Sequence, residues 1–268
     1  MKTLLVATDF SAAADNALHY AARLASRINA SLKLLHVYTV PVSMNDMPVL
    51  MVSAENLKHN ADNGLSRLKE ELQKNYGAIN VETDSRLGDL RSELEDVCKS
   101  NPPLAIIIGA HGVTGFERLV FGSNATAIIR HSKVPVIAVP ANYNGSDTKK
   151  IVMAFDLQNN HSLPIDDIKQ WVGLLNAELH ILHITSNSSG EKDERKDLLT
   201  RFGDLSVVYE EQYSHDLQKG IEAHIKKIGA DMLLIVPHQH NLMERIFFRQ
   251  HTEDIVYNAS VPVLSICC

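Results

Sequence analysis

The chain writes one pattern twice. Thr3-Leu-Leu-Val-Ala-Thr8 runs into Asp9, and Lys150-Ile-Val-Met-Ala-Phe155 runs into Asp156, 147 residues further on. Leu34-Leu-His-Val37 returns as Ile181-Leu-His-Ile184 at the same offset. Val134-Pro-Val-Ile-Ala-Val139 returns as Val261-Pro-Val-Leu-Ser-Ile266 at an offset of 127. Self-similarity of this kind means one structural unit used twice. A long offset at the front and a shorter one at the back mean that the second copy lost about 20 residues in its middle. The polar stretch Ala141–Lys149, with its turn-forming Asn144-Gly145, reads as a linker. Two domains follow, 1–142 and 149–268, and 268 residues give both an ample core.

Each copy alternates strand and helix patterns. Thr3–Thr8 is apolar with no polar break, as in a strand covered on both faces. Ser11 then precedes Ala14, Leu18, Ala21, Ala25 and Ile28, one face of a helix with Ser11 as its cap. Asn29-Ala30 ends it, and Leu32–Val37 is the next strand. Leu57, Ala61, Leu65, Leu68 and Leu72 mark a long helix, Ala78–Thr83 a short strand, and Leu90, Leu94 and Val97 a third helix. Leu104–Ile108 is the central strand, and Val134–Val139 closes the copy, with Pro135 at its start or on the sheet edge. In the second copy, Ile165, Ile168, Val172 and Leu175 give a first helix, and Leu217, Ile221, Ile225 and Ile228 a later one. The fold class is therefore α/β: two tandem open parallel sheets of five strands, flanked by helices, with right-handed crossovers. Val40–Ala54, with two prolines and three methionines, fits neither period. It reads as a loop over the domain's own surface or as a lid or partner-contacting segment.

Function is most legible between Leu104 and Asn124. An apolar strand stops at Gly109; Gly112 follows, then Gly122-Ser123 and a helical run from Asn124 to His131. Strand, glycine loop and helix start make an anion site: glycines let backbone approach a ligand, and a helix N-terminus offers unpaired N–H groups. Ser123 caps the helix or gives its hydroxyl to a phosphate. The plain alternative is an ordinary turn whose glycines are steric. Ligands of open parallel sheets sit beyond the strands' carboxyl ends, where the strand order reverses. Asp9 and Gly109 both lie at such ends, and a carboxylate there suits ribose hydroxyls, an adenine amine or a metal ion better than a triphosphate. The plain alternative for Asp9 is a turn or second cap ahead of the first helix. In the second copy Pro237, His240 and Gln250-His251 stand where Gly109, Gly112 and Gly122-Ser123 stood. Every glycine is gone, so this copy keeps the fold and loses the nucleotide loop. His238, His240 and His251, with His215 or Cys267-Cys268, have metal-ligand chemistry but no established zinc spacing.

Composition narrows the partners. A formal net charge of -6 gives no basic field for nucleic acid or an anionic membrane, and no apolar run approaches a membrane span. Three cysteines make no disulfide framework and suit reduced thiols in the cytoplasm.

With Asp9, His36-Val37 and Gly109-x-x-Gly112-x9-Gly122-Ser123 in place, the first copy resembles the universal stress protein family, in its ATP-binding branch. The resemblance implies a Rossmann-like sheet of the adenine nucleotide alpha hydrolase type, strand order 3-2-1-4-5, with ATP, ADP or AMP (with or without Mg²⁺) between the first and fourth strands. It implies that Asp9 meets the adenosine end and Val37 meets adenine through its backbone. Gly109 and Gly112 would give room beside ribose and phosphate, while Gly122, Ser123 and Asn124 hold the phosphates. Ala7 stands where some members carry proline. The resemblance also implies that the two halves pair through their last strands as a pseudo-dimer, which leaves room for a homodimer of chains. The expected role is stress-response regulation by nucleotide binding, with the second domain degenerate. The alternatives are a slow ATP-hydrolysing enzyme, with His111 as its best catalytic candidate, and an interaction module that binds no nucleotide. Neither a serine–histidine–acid arrangement nor a Walker lysine is present in the loop, so no catalytic residue is assigned.

Overall fold

The computed structural model describes residues 2–40, 54–77, 79–112, 119–121, 123–145, 147–155, 163–185, 192–203, 205–214, 216–236, 255–257 and 260–267. The Met-rich segment 41–53 lies outside them. In chain order the elements are β1 (Thr3–Ala7), α1 (Ala12–Ile28), β2 (Ser31–Tyr38), α2 (Ala54–Tyr76), β3 (Val81–Leu87), α3 (Leu90–Ser100) and β4 (Ala105–Gly112). There follow β5 (Leu119–Phe121), α4 (Ser123–His131), β6 (Val136–Pro140), β7 (Lys150–Phe155), α5 (Ile165–Leu175) and β8 (Glu178–Thr185). The last are α6 (Lys192–Phe202), β9 (Val207–Tyr213), α7 (Leu217–Ile228), β10 (Met232–Ile235), β11 (Ile255–Tyr257) and β12 (Val263–Ser265).

Two compact units divide the chain between Gly109 and Ala110. In the first, β3-β2-β1-β4 form a parallel sheet in which Leu4 pairs with Leu32 on one side and Ala105 on the other. Leu4, Leu5, Val6, Leu32, Leu34 and Ile107 are fully buried, as their unbroken apolar runs require. α1 starts where Ser11 Oγ accepts from Ala14 N–H at 3.3 Å, and it ends at Asn29, whose φ of 52° turns the chain out of the helix.

In the second unit, β12-β10-β7-β8-β9 form a parallel sheet, again in the order 5-4-1-2-3. β6 adds to the free edge of β12, antiparallel, with Ile137 opposite Leu264. That pairing places β6, the first repeat's last strand, in the second unit, so the compact units part upstream of the polar linker. At the same edge Ala141 N–H donates to the carbonyl of Ala110, the last stretch of β4, at 3.1 Å. The first repeat thus reads 3-2-1-4-5 from β3 to β6. Trp171 and Phe202 fill the core beside the second sheet's apolar strands.

The structure corrects several expectations. The central strand does not stop at Gly109: it runs to Gly112, and His111 and Gly112 pair antiparallel with β5. β5 in turn pairs with β11, Phe121 opposite Ile255. The third strand starts at Val81 rather than Ala78, because Gly77 (φ 73°) closes a turn in which Ile79 N–H reaches its carbonyl. α6 and β9 carried no clean period: α6 opens Lys192-Asp-Glu-Arg-Lys, and β9 is half-exposed along its length.

Candidate functional site

β1 is followed by β2 on one side and, after β3, by β4 on the other, so the order of connection reverses between β1 and β4. Ala7 ends β1 and is buried. Beyond it the chain makes three side-chain-to-backbone hydrogen bonds in a row. Phe10 N–H donates to Thr8 Oγ1 at 3.1 Å, Ser11 N–H to Asp9 Oδ1 at 2.9 Å, and Ala14 N–H to Ser11 Oγ. The exposed Asp9 carboxylate is thereby fixed at the carboxyl end of β1, beside the start of α1.

β2 outruns β1, and its backbone shows which way. Ser31 N–H donates to Lys2, and Leu35 C=O accepts from Thr8 N–H, so odd-numbered residues turn toward β1. Leu32 N–H donates to Asn80, and Tyr38 C=O accepts from Gly88, so even-numbered residues turn toward β3. Val37 therefore turns its N–H and C=O to the β1 side, past Ala7–Leu35, the last pair of that ladder. His36 Nδ1 closes the strand ends by a 2.8 Å contact with the Thr8 carbonyl.

At Gly109 an added Cβ would stand 2.5 Å from the Ala13 carbonyl oxygen and 2.8 Å from Ala14 N. The first turn of α1 lies directly against β4 here, and that close approach alone requires glycine. In the second unit, Gly112 is in backbone register with Leu119, and Ser123 and Asn124 are the first two residues of α4, where helix N–H groups lack intrahelical partners. Gly122 lies outside the described residues, as do Asp156, His215, Pro237, His238, His240, Gln250, His251 and Cys268. Cys98 is a free thiol that burial pushes up to about 11, and burial likewise raises Cys267.

Sequence reasoning passed over Phe10 and Gly64. Phe10 holds φ at 63°, rare for a bulky residue, and its ring centroid lies 4.3 Å from that of His36. A Cβ on Gly64 of α2 would meet this ring at 2.7 Å, so the glycine makes room for it. The single available signal was an aromatic residue between a strand-ending Asp and a capping Ser.

A model of the universal stress protein family matches residues 1–140 and 185–266. Over 141 residues the chain is 30% identical to a universal stress protein of Mycolicibacterium smegmatis, which covers 51% of this chain and about half (47%) of that relative. The universal stress protein Slr1230 of Synechocystis is 24% identical, and the alignment covers 99% of each chain. The crystal structure of a universal stress protein from Archaeoglobus fulgidus superposes with a TM-score of 0.73 at 18% identity, covering 99% of this chain and 98% of that one. That likeness establishes the tandem fold.

Proposed function

The chain belongs to the universal stress protein family, and on that premise we propose that its first repeat binds an adenine nucleotide, ATP or its ADP or AMP products, with or without Mg²⁺. The observation that carries this reading is the aim of Val37. One N–H and one C=O past the end of β1 form the donor–acceptor pair that complements adenine's ring nitrogen and exocyclic amine. Asp9, held at the neighbouring strand end, accepts from ribose hydroxyls. The phosphates follow the chain from Gly109 and Gly112 to Gly122, Ser123 and Asn124, where the start of α4 supplies unpaired N–H groups.

The stretch from Gly109 to Asn124 contains no lysine, so it lacks the Walker-type lysine that fast phosphoryl transfer ordinarily uses. The first repeat, 1–142, is a binding domain whose nucleotide state is read by a partner, and 149–268 is a degenerate copy. A half-buried, reduced thiol at Cys98 suits a reducing compartment, the cytoplasm. No helix among the described residues is long and apolar enough to cross a membrane.

Thermal melting with and without ATP and Mg²⁺ tests the proposal. Ligand at 100 times its dissociation constant adds about 2.7 kcal/mol. Gly122→Asp removes that gain by placing bulk and charge among the phosphates. Melting that ignores ATP, ADP and AMP alike would make the first repeat a nucleotide-free interaction module. Phosphate release that a Ser123→Ala, His111→Ala variant loses would make it an ATPase.

A further inference from the structure

We propose that the second repeat holds a divalent transition-metal ion of the zinc class between His180 on β8, Glu210 on β9 and His224 on α7. One donor atom from each of these residues lies within 4.8 Å of the others. A four-coordinate zinc with bonds near 2.0–2.2 Å spaces its donors about 3.3 Å apart, so the three side chains close by up to about 1.5 Å around the ion. Two imidazoles and a carboxylate are the donor set that this ion, Co²⁺ and Ni²⁺ favour.

The histidines themselves ask for an occupant. His180 is 7% exposed and His224 1%, and all four ring nitrogens are buried without a hydrogen bond. His180 Nε2 is 3.2 Å from Glu178 Oε2, but out of line for one; His224 Nδ1 is 3.6 Å from Glu210 Oε2. Each unsatisfied buried group of this kind costs about 1–3 kcal/mol. The fold does not require that cost, since the corresponding residue of α3 in the first repeat is the apolar Val97. Gly220 brings α7 close: a Cβ there would meet Ile184 Cδ1 at 2.8 Å, and His224 sits one turn further along the same buried face.

Charge and access also fit. Lys227 Nζ stands 3.1 Å from Glu210 Oε2 and keeps that carboxylate ionised in the absence of metal. Its long, largely exposed side chain can swing into solvent when an ion takes its place. Glu210 is 31% exposed and Glu178 41%, so the site opens to solvent from the carboxylate side, and water or Glu178 completes the shell.

The test uses the full chain, stripped with a chelator and dialysed, then titrated with Zn²⁺ alone and with Co²⁺ alone. One ion per chain is expected, with a Co²⁺ visible spectrum of nitrogen and oxygen ligation. A variant with His238→Ala, His240→Ala and His251→Ala separates the loop histidines and should bind as the wild type does. His224→Val, which copies the first repeat, and the half-exposed Glu210→Gln should each weaken binding more than about 100-fold, beyond the usual loss for an outer-shell partner. A stripped wild-type chain that takes up no Zn²⁺ overturns the proposal without any variant. So does affinity unchanged in Glu210→Gln, or lost in the loop variant.

Discussion

In the first repeat, Lys33 on β2 reaches Asp84 on β3 at 3.2 Å, Arg86 braces the same carboxylate at 3.1 Å, and α3 buries Val97 eight residues past its Asp89 cap. In the second, the equivalent places hold His180, Glu210 and, eight residues past the Asp216 cap of α7, His224. The equivalence is one of register. Lys33 and His180 are 147 apart, as are the other landmarks; Asp84 stands opposite Leu35, and Glu210 opposite Leu182. The backbone frame is therefore indifferent to what it carries at this point. One copy sets two cations against an acid there, the other two imidazoles. The first copy holds Asp9 and Val37 at the carboxyl ends of its strands, while in the second His180, Glu210 and His224 come together under α7.

The sharpest contrast is between the two close approaches. Gly109→Val drives a side chain into the Ala13 backbone, which cannot yield, and should cost about 3 kcal/mol or more in urea unfolding. Gly220→Ala meets only the flexible tip of Ile184 and Ser214 on the other approach, and alanine regains about 1 kcal/mol of helix propensity, so its net cost should stay within about 1 kcal/mol. Equal losses would mean that the two helices are held in the same way.

Exchanging the buried position tests whether the frame is as indifferent as it looks. Val97→His buries a polar imidazole in place of an apolar side chain and should cost about 2 kcal/mol. Asp84→Ala leaves Arg86 its bonds to Glu93 and Asp96 but takes from Lys33 its carboxylate. With both partners about a quarter exposed, the loss should be about 1 kcal/mol by chemical denaturation, between the surface and buried cases.

A smaller effect comes from acid. Burial lowers His224 below its ordinary 6.5, against the pull of Glu210. The unfolded chain then binds the proton more readily, so stability of the metal-free protein falls as pH drops below about 6.5 and the loss ends at the folded value. His224→Val should flatten that part of the pH–stability curve, and an unchanged slope would assign it to other groups. The smallest expected effect is chemical: Cys98, pushed up to about 11 by burial, should alkylate at neutral pH far more slowly in the folded chain than in urea.

Much of the frame was legible because apolar residues repeat at helix spacing and because the chain repeats itself. Ser11 as cap, Asn29 as stop and Pro135 just ahead of β6 are local signals, each with a single physical meaning. β5 and β11 escaped because a three-residue strand exists only through its partner, and the two lie more than a hundred residues apart in sequence. Glycine at 109 reads equally as room for a ligand or as a steric need, and the close backbone of α1, the steric one, appears only in three dimensions. His180, Glu210 and His224 sit on three elements, and singly each reads as a core histidine or a surface acid. Only strand register and the approach of α7 bring them together.

The proposed asymmetry is one nucleotide per chain, held by the first repeat. Calorimetric titration of the full chain with ATP and Mg²⁺ measures it most directly. The expected result is one ATP per chain, absent in Gly122→Asp and unchanged in His224→Val. Two sites per chain, or one that survives Gly122→Asp, would contradict it.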